Sequence, residues 1–78
     1  MSQIRTSKTI DARGLPPPEP FELTMAALES CDASESVLLL LSREPYPLYQ
    51  ALELSGYFRE TRHAPDGTVE VLIWAGPR

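Results

Sequence analysis

Side chains able to do chemistry are few in this sequence and widely spread. One histidine, His63, and one cysteine, Cys31, each stand alone. A lone imidazole lacks the partners of a zinc site, and general-base work needs a further group to orient it. His63 therefore reads as a solvated strand residue. A single thiol can neither close an internal disulfide nor build a zinc site, so Cys31 reads as a small, partly buried apolar residue. The carboxylates show no spacing that suggests metal binding or paired acid–base work. No catalytic residue, metal or cofactor is expected. What remains are two short charged stretches. Asp11 and Arg13 precede Gly14-Leu15-Pro16-Pro17-Pro18-Glu19-Pro20, and Arg43 and Glu44 precede Pro45-Tyr46-Pro47. Together they suit a polar recognition site. The plainer alternative is a fold-stabilising ion pair or separately solvated charges.

Periodicity supplies the elements that would position these loops. Residues 1–6 are polar and expected to be loose. A first strand is expected over 7–12, stopped by Gly14 and the prolines. Gly14 is a candidate for a positive φ angle. The first helix is expected from Pro18 to Ser30, since prolines fit a first turn whose N–H groups lack intrahelical partners. Phe21, Met25 and Leu28 would form its buried face with Thr24 between them, and Leu23 and Ala27 would widen it. The run Val37-Leu38-Leu39-Leu40-Leu41 suits a central strand covered on both faces.

A second helix is expected over 45–55. Leu48, Tyr49 and Leu52 follow Pro45 at helical spacing, and Gly56 suits the C′ position. Tyr49 then belongs to the core, and Tyr46 is the better exposed contact. Residues 57–63 and 68–75 form a hairpin around Ala64-Pro65-Asp66-Gly67. The order is β-α-β-α-β-β, an α+β two-layer sandwich with both helices on one face of a four-stranded mixed sheet. Both charged loops would follow parallel strands at their carboxyl ends, where ligands tend to bind. One sheet face stays open. Leu38, Leu40, Leu72 and Trp74 there would form an apolar patch suited to weak self-association, unless edges and loops cover it.

The whole chain, 78 residues with 42% apolar content, makes one small domain. A net charge of −4 and a pI near 4.8 weigh against nucleic acid as a partner. The basic residues are scattered rather than clustered, which also weighs against it. No apolar run is long enough for a signal peptide or a membrane span. With a single cysteine, a reducing, cytoplasmic setting of bacterial type is expected.

Element order and the stretch from Asp11 to Pro20 together resemble the small sulfur-carrier family typified by TusA and SirA-like proteins. The family signature has an acidic residue, then Gly-Leu, one variable residue, and Cys-Pro-x-Pro. Asp11, Gly14-Leu15, Pro16 and Pro18-Glu19-Pro20 match it, and Pro17 occupies the cysteine position. A closer resemblance is to an uncharacterised branch with Gly-Leu-Pro-Pro-Pro-Glu-Pro and a Pro-x-Pro-Leu-Tyr segment. Pro45-Tyr46-Pro47-Leu48-Tyr49 matches the latter. Members often have a histidine where this chain has Arg43, so no role of that histidine carries over. Domains of this branch also occur beside hemerythrin-like domains, which implies a redox or diatomic-gas setting.

Proline at 17 has no sulfur, so a persulfide cannot form there. Cys31 falls near the wrong end of the first helix, where the dipole disfavours a thiolate. Phosphate is a poor ligand as well: Pro16, Pro17, Pro18 and Pro20 bring no N–H groups, and Glu19 repels an anion. A rigid surface remains, formed by the proline loop with Arg13, Arg43, Glu44 and Tyr46 around it. The favoured expectation is a non-catalytic module that binds a protein partner there. The alternatives are sulfur transfer that uses a partner's cysteine and, further off, RNA binding.

Overall fold

The computed structural model describes residues 5–32 and 34–75. Its elements run β1 (Arg5–Asp11), α1 (Glu19–Glu29), β2 (Glu35–Leu41), α2 (Tyr46–Leu54), β3 (Tyr57–His63) and β4 (Val69–Ala75). The sheet order is β1-β2-β4-β3. β1 and β2 are parallel, while β4 lies antiparallel to both β2 and β3. This is the expected α+β sandwich. β1 begins earlier than expected: Arg5 and Thr6 pair with Glu35 and Ser36, so this part of the segment expected to be loose is strand. The rest of that segment, residues 1–4, lies outside the described residues.

Alternation along β2 and β4 decides what is buried. Val37, Leu39 and Leu41 share the helix side of the sheet with Val69, Val71 and Ile73, and all are buried. Leu28 of α1 and Leu48, Tyr49 and Leu52 of α2 close over them. Thr24 is fully buried as well, and its hydroxyl donates to the Pro20 carbonyl at 2.7 Å. That bond removes the cost of hiding the polar group.

Three packing expectations need correction. Phe21 is 36% exposed and Leu23 44% exposed, so neither belongs to the core. The first turn of α1 holds Phe21 at the mouth of the β1–α1 loop, while Thr24 and Leu28 are buried against the sheet and Met25 and Ala27 are partly buried beside them. β2 is covered on one face only, because both helices lie on that side. Leu38 and Leu40 are half-buried on the other, together with Leu72 and Trp74. Phe58 extends this apolar strip, 45% exposed and stacked on Trp74 at 6.2 Å between ring centroids. No helix among the described residues is long and apolar enough to cross a membrane.

Candidate functional site

The carboxyl ends of the parallel pair β1 and β2 open into the two loops that carry the charged stretches. After Asp11, the Ala12 N–H still donates to the Leu40 carbonyl at 2.9 Å, which continues the ladder for one residue. The chain then turns at Gly14, whose φ of +82° strains any residue with a Cβ. Leu15 N–H donates back to the Ala12 carbonyl at 3.2 Å, closing the turn. Pro18 stands at the N-cap of α1 with no side-chain cap, and Pro20 follows in the first turn. Glu19 N–H donates to the Pro16 carbonyl at 3.1 Å. The Leu15 and Glu19 backbone donors are therefore already used, which sharpens the case against phosphate at this helix start.

Facing this loop, Ser42, Arg43, Glu44 and Pro45 lead into α2. Between the two loops lies a cleft of about 500 Å³. Ala12, Leu41 and Leu48 are buried at its floor. Leu15 and Phe21, with Pro16, Pro17, Pro18 and Pro20, form one wall, and Arg43, Glu44, Pro45 and Pro47 the other. Pro17, the position that the resemblance aligns with the carriers' cysteine, is exposed on this wall.

The four charges do not form one cluster. Arg13 folds back on Asp11, with Nε and Nη2 each donating at 2.8 Å to one carboxylate oxygen. Those hydrogen bonds and the Arg13 charge hold the Asp11 carboxyl at about 2. Arg13 also reaches Thr68 Oγ1 at 3.4 Å, on the hairpin, and the pair lies outside the cleft lining.

Glu44 turns the other way, toward β3. Its Oε1 is 2.6 Å from Nε2 of His63, and its Oε2 accepts the Tyr49 hydroxyl at 3.0 Å. With that proton given to the carboxylate, the Thr61 hydroxyl is the donor in its 2.7 Å contact with Tyr49. Burial above all pushes the Tyr49 hydroxyl up, and the Glu44 carboxylate adds to this. Arg59 lies 4.1 Å above the Tyr49 ring. His63, expected to be simply solvated, is thus exposed but paired.

Arg43 makes no hydrogen bond or ion pair among the described residues, and it lines the cleft. Glu19 and Tyr46 are exposed outside the lining; Tyr46 is 66% exposed and packs edge-on against Tyr49 at 5.9 Å. Cys31 is half-buried, and burial, helped by Glu35, pushes its thiol up. Among the described residues no group of three potential metal ligands occurs.

The sequence profile of the family described as an uncharacterized conserved protein, DUF2249, matches residues 9–75. The chain belongs to the DUF2249 family. The crystal structure of a SirA-like protein from Desulfitobacterium hafniense is similar to it at a TM-score of 0.79, with 33% identity over 90% of this chain and 99% of that one. No curated protein matches. The SirA-like fold of this DUF2249 chain is therefore shown by sequence and by shape.

Sequence reasoning placed Gly14 to Pro18, Arg43 and Glu44 at one end of the sheet, and they line the cleft. Phe21, Pro45 and Pro47 form walls as well, beyond the residues expected for the site. Their signal was the first-turn position itself, since residues opening a helix overhang the end of the sheet. Sequence reasoning missed the Glu44–His63 contact, which joins loop and strand across 19 positions with no local pattern.

Proposed function

We propose that this DUF2249 domain is a non-catalytic docking module that holds a segment of a partner protein in the cleft between its two loops. The supporting observation is the lining: prolines and aliphatic side chains dominate it, and its one carboxylate, Glu44, is already bonded to His63 and Tyr49. Such a surface exchanges water for apolar contact, and its one hydroxyl, Ser42, has no histidine beside it in the lining to act as a base. Stiff prolines suit docking because little freedom is lost on binding. The single cysteine and the SirA-like kinship support a reducing, cytoplasmic and redox- or sulfur-related setting as part of this reading. Sulfur transfer through a partner's own cysteine is the same docking event with chemistry supplied by the partner.

Site-specific photo-crosslinking in cells tests this reading. A benzophenone side chain at Pro17 is expected to give a discrete protein adduct, and one at Leu54, which is 90% exposed on α2 and outside the cleft lining, is expected to give none. Adding Leu15→Glu and Phe21→Glu should remove the adduct. Identical adducts from both positions would refute the proposal.

The open sheet face supports a second contact, with another copy of this chain. Phe58 and Trp74 stack there, partly exposed, beside Leu38 and Leu72. Four strands of seven residues span roughly 400–450 Å² at ordinary strand spacing. That is about half the ~800 Å² per partner of a stable interface. The association is therefore weak, and sedimentation over a concentration series should show it only at high concentration. A strictly monomeric protein throughout would rule it out.

A further inference from the structure

The cleft also indicates what kind of segment it takes. Its charges are unequal in availability. Both oxygens of Glu44 are engaged, one by His63 Nε2 at 2.6 Å and one by the Tyr49 hydroxyl at 3.0 Å. Asp11 and Arg13 neutralise each other outside the lining. Arg43, exposed on the cleft wall, keeps all its N–H groups unspent among the described residues.

The opposite wall offers a ligand's acceptors only neutral backbone donors, those of Gly14 and Phe21. Four of its residues are prolines without N–H, and the Leu15 and Glu19 N–H groups already donate to Ala12 and Pro16. The guanidinium is thus the strongest donor set facing the space. A planar fork of N–H groups pairs best with a carboxylate, through two parallel hydrogen bonds. The floor beneath it is aliphatic. A volume of about 500 Å³ is enough for one large side chain and part of its neighbour.

We infer that the docked segment carries a bulky apolar side chain with an Asp or Glu next to it, the apolar group on the floor and the carboxylate on Arg43. This rests on the docking reading above. It also runs against the overall charge of −4, which by itself would favour a basic partner. The two expectations therefore separate cleanly by experiment.

The probes are three blocked peptides, acetyl-Gly-Phe-Glu-Gly-amide, acetyl-Gly-Phe-Lys-Gly-amide and acetyl-Gly-Ala-Glu-Gly-amide, titrated into the ¹⁵N-labelled full chain. The Phe-Glu peptide is expected to shift the amides of Gly14, Leu15 and Arg43 and to bind about fivefold more tightly than either other peptide. In Arg43→Glu the order of Phe-Glu and Phe-Lys should reverse, with amide dispersion confirming that the variant is folded. Equal binding of Phe-Glu and Phe-Lys in the cleft, or tighter binding of Phe-Lys, would overturn the carboxylate assignment and leave docking standing. Equal binding of Ala-Glu would overturn the apolar half. If no peptide shifts the cleft amides, both this inference and the docking reading fall.

Discussion

Nε2 of His63 lies 2.6 Å from Oε1 of Glu44, a contact that fastens the end of β3 to the loop before α2. Because Glu44 also accepts the Tyr49 hydroxyl, one carboxylate joins a loop, a helix and an edge strand. The cleft wall that Glu44 forms is steadied from behind.

A double-mutant cycle measures that link. Glu44→Ala and His63→Ala should each lower stability in urea unfolding, with a coupling of about 0.3–1 kcal/mol, the range for partly exposed pairs. Additive effects would show that the contact contributes nothing.

Asp11 sets the acid limb. Its folded carboxyl lies at about 2, below the usual 3.8, because Arg13 bonds it. A depressed folded value stabilises the protein above the unfolded value, and that contribution is lost as pH falls from about 4 towards 2. Asp66, lowered by the Thr68 N–H, acts with the same sign. Carboxyl-carbon NMR titration should place the Asp11 midpoint near 2, and Arg13→Ala should raise it towards about 4 and flatten the acid limb. A midpoint unmoved by the substitution would contradict the assigned cause.

Leu52 and Leu54 stand two residues apart on α2 and should behave oppositely. Leu52 is fully buried and Leu54 is 90% exposed. Leu52→Ala should cost about 2–5 kcal/mol by chemical denaturation, and Leu54→Ala within about 0.5 kcal/mol. Similar costs would mean that α2 packs through a different face.

Thiol reactivity distinguishes the cleft wall from the core. Cys31 is half-buried and its thiol is pushed up, so the wild type should react slowly with iodoacetamide at neutral pH. Pro17→Cys combined with Cys31→Ser should react several-fold faster, since position 17 is exposed. Mass spectrometry over a time course decides it, and equal rates would place position 17 in a shielded environment.

Element order, the parallel first pair and the hairpin were all legible in the sequence, because alternation, helical spacing and turn chemistry act locally. Gly14, Gly56 and Gly67 hold positive φ at the turns where the chain needs them. Phe21 misled because helical spacing reports a direction around the helix and says nothing of how far the sheet extends beneath it. Arg43 was legible as a loop charge. That it would remain unpaired among the described residues while its neighbour Glu44 found two partners depended on β3 and α2 meeting, which no short stretch encodes.

β4 is the final strand along the domain, yet it lies between β2 and β3. Until residues 69–75 leave the ribosome, both β2 and β3 carry a bare ladder edge, and β2 is the leucine-rich one. A nascent or truncated chain lacking that segment would present a sticky edge suited to pairing with another chain. β4 therefore has to be made before the sheet can close, and truncation within β4 should be harsher than the loss of a peripheral strand.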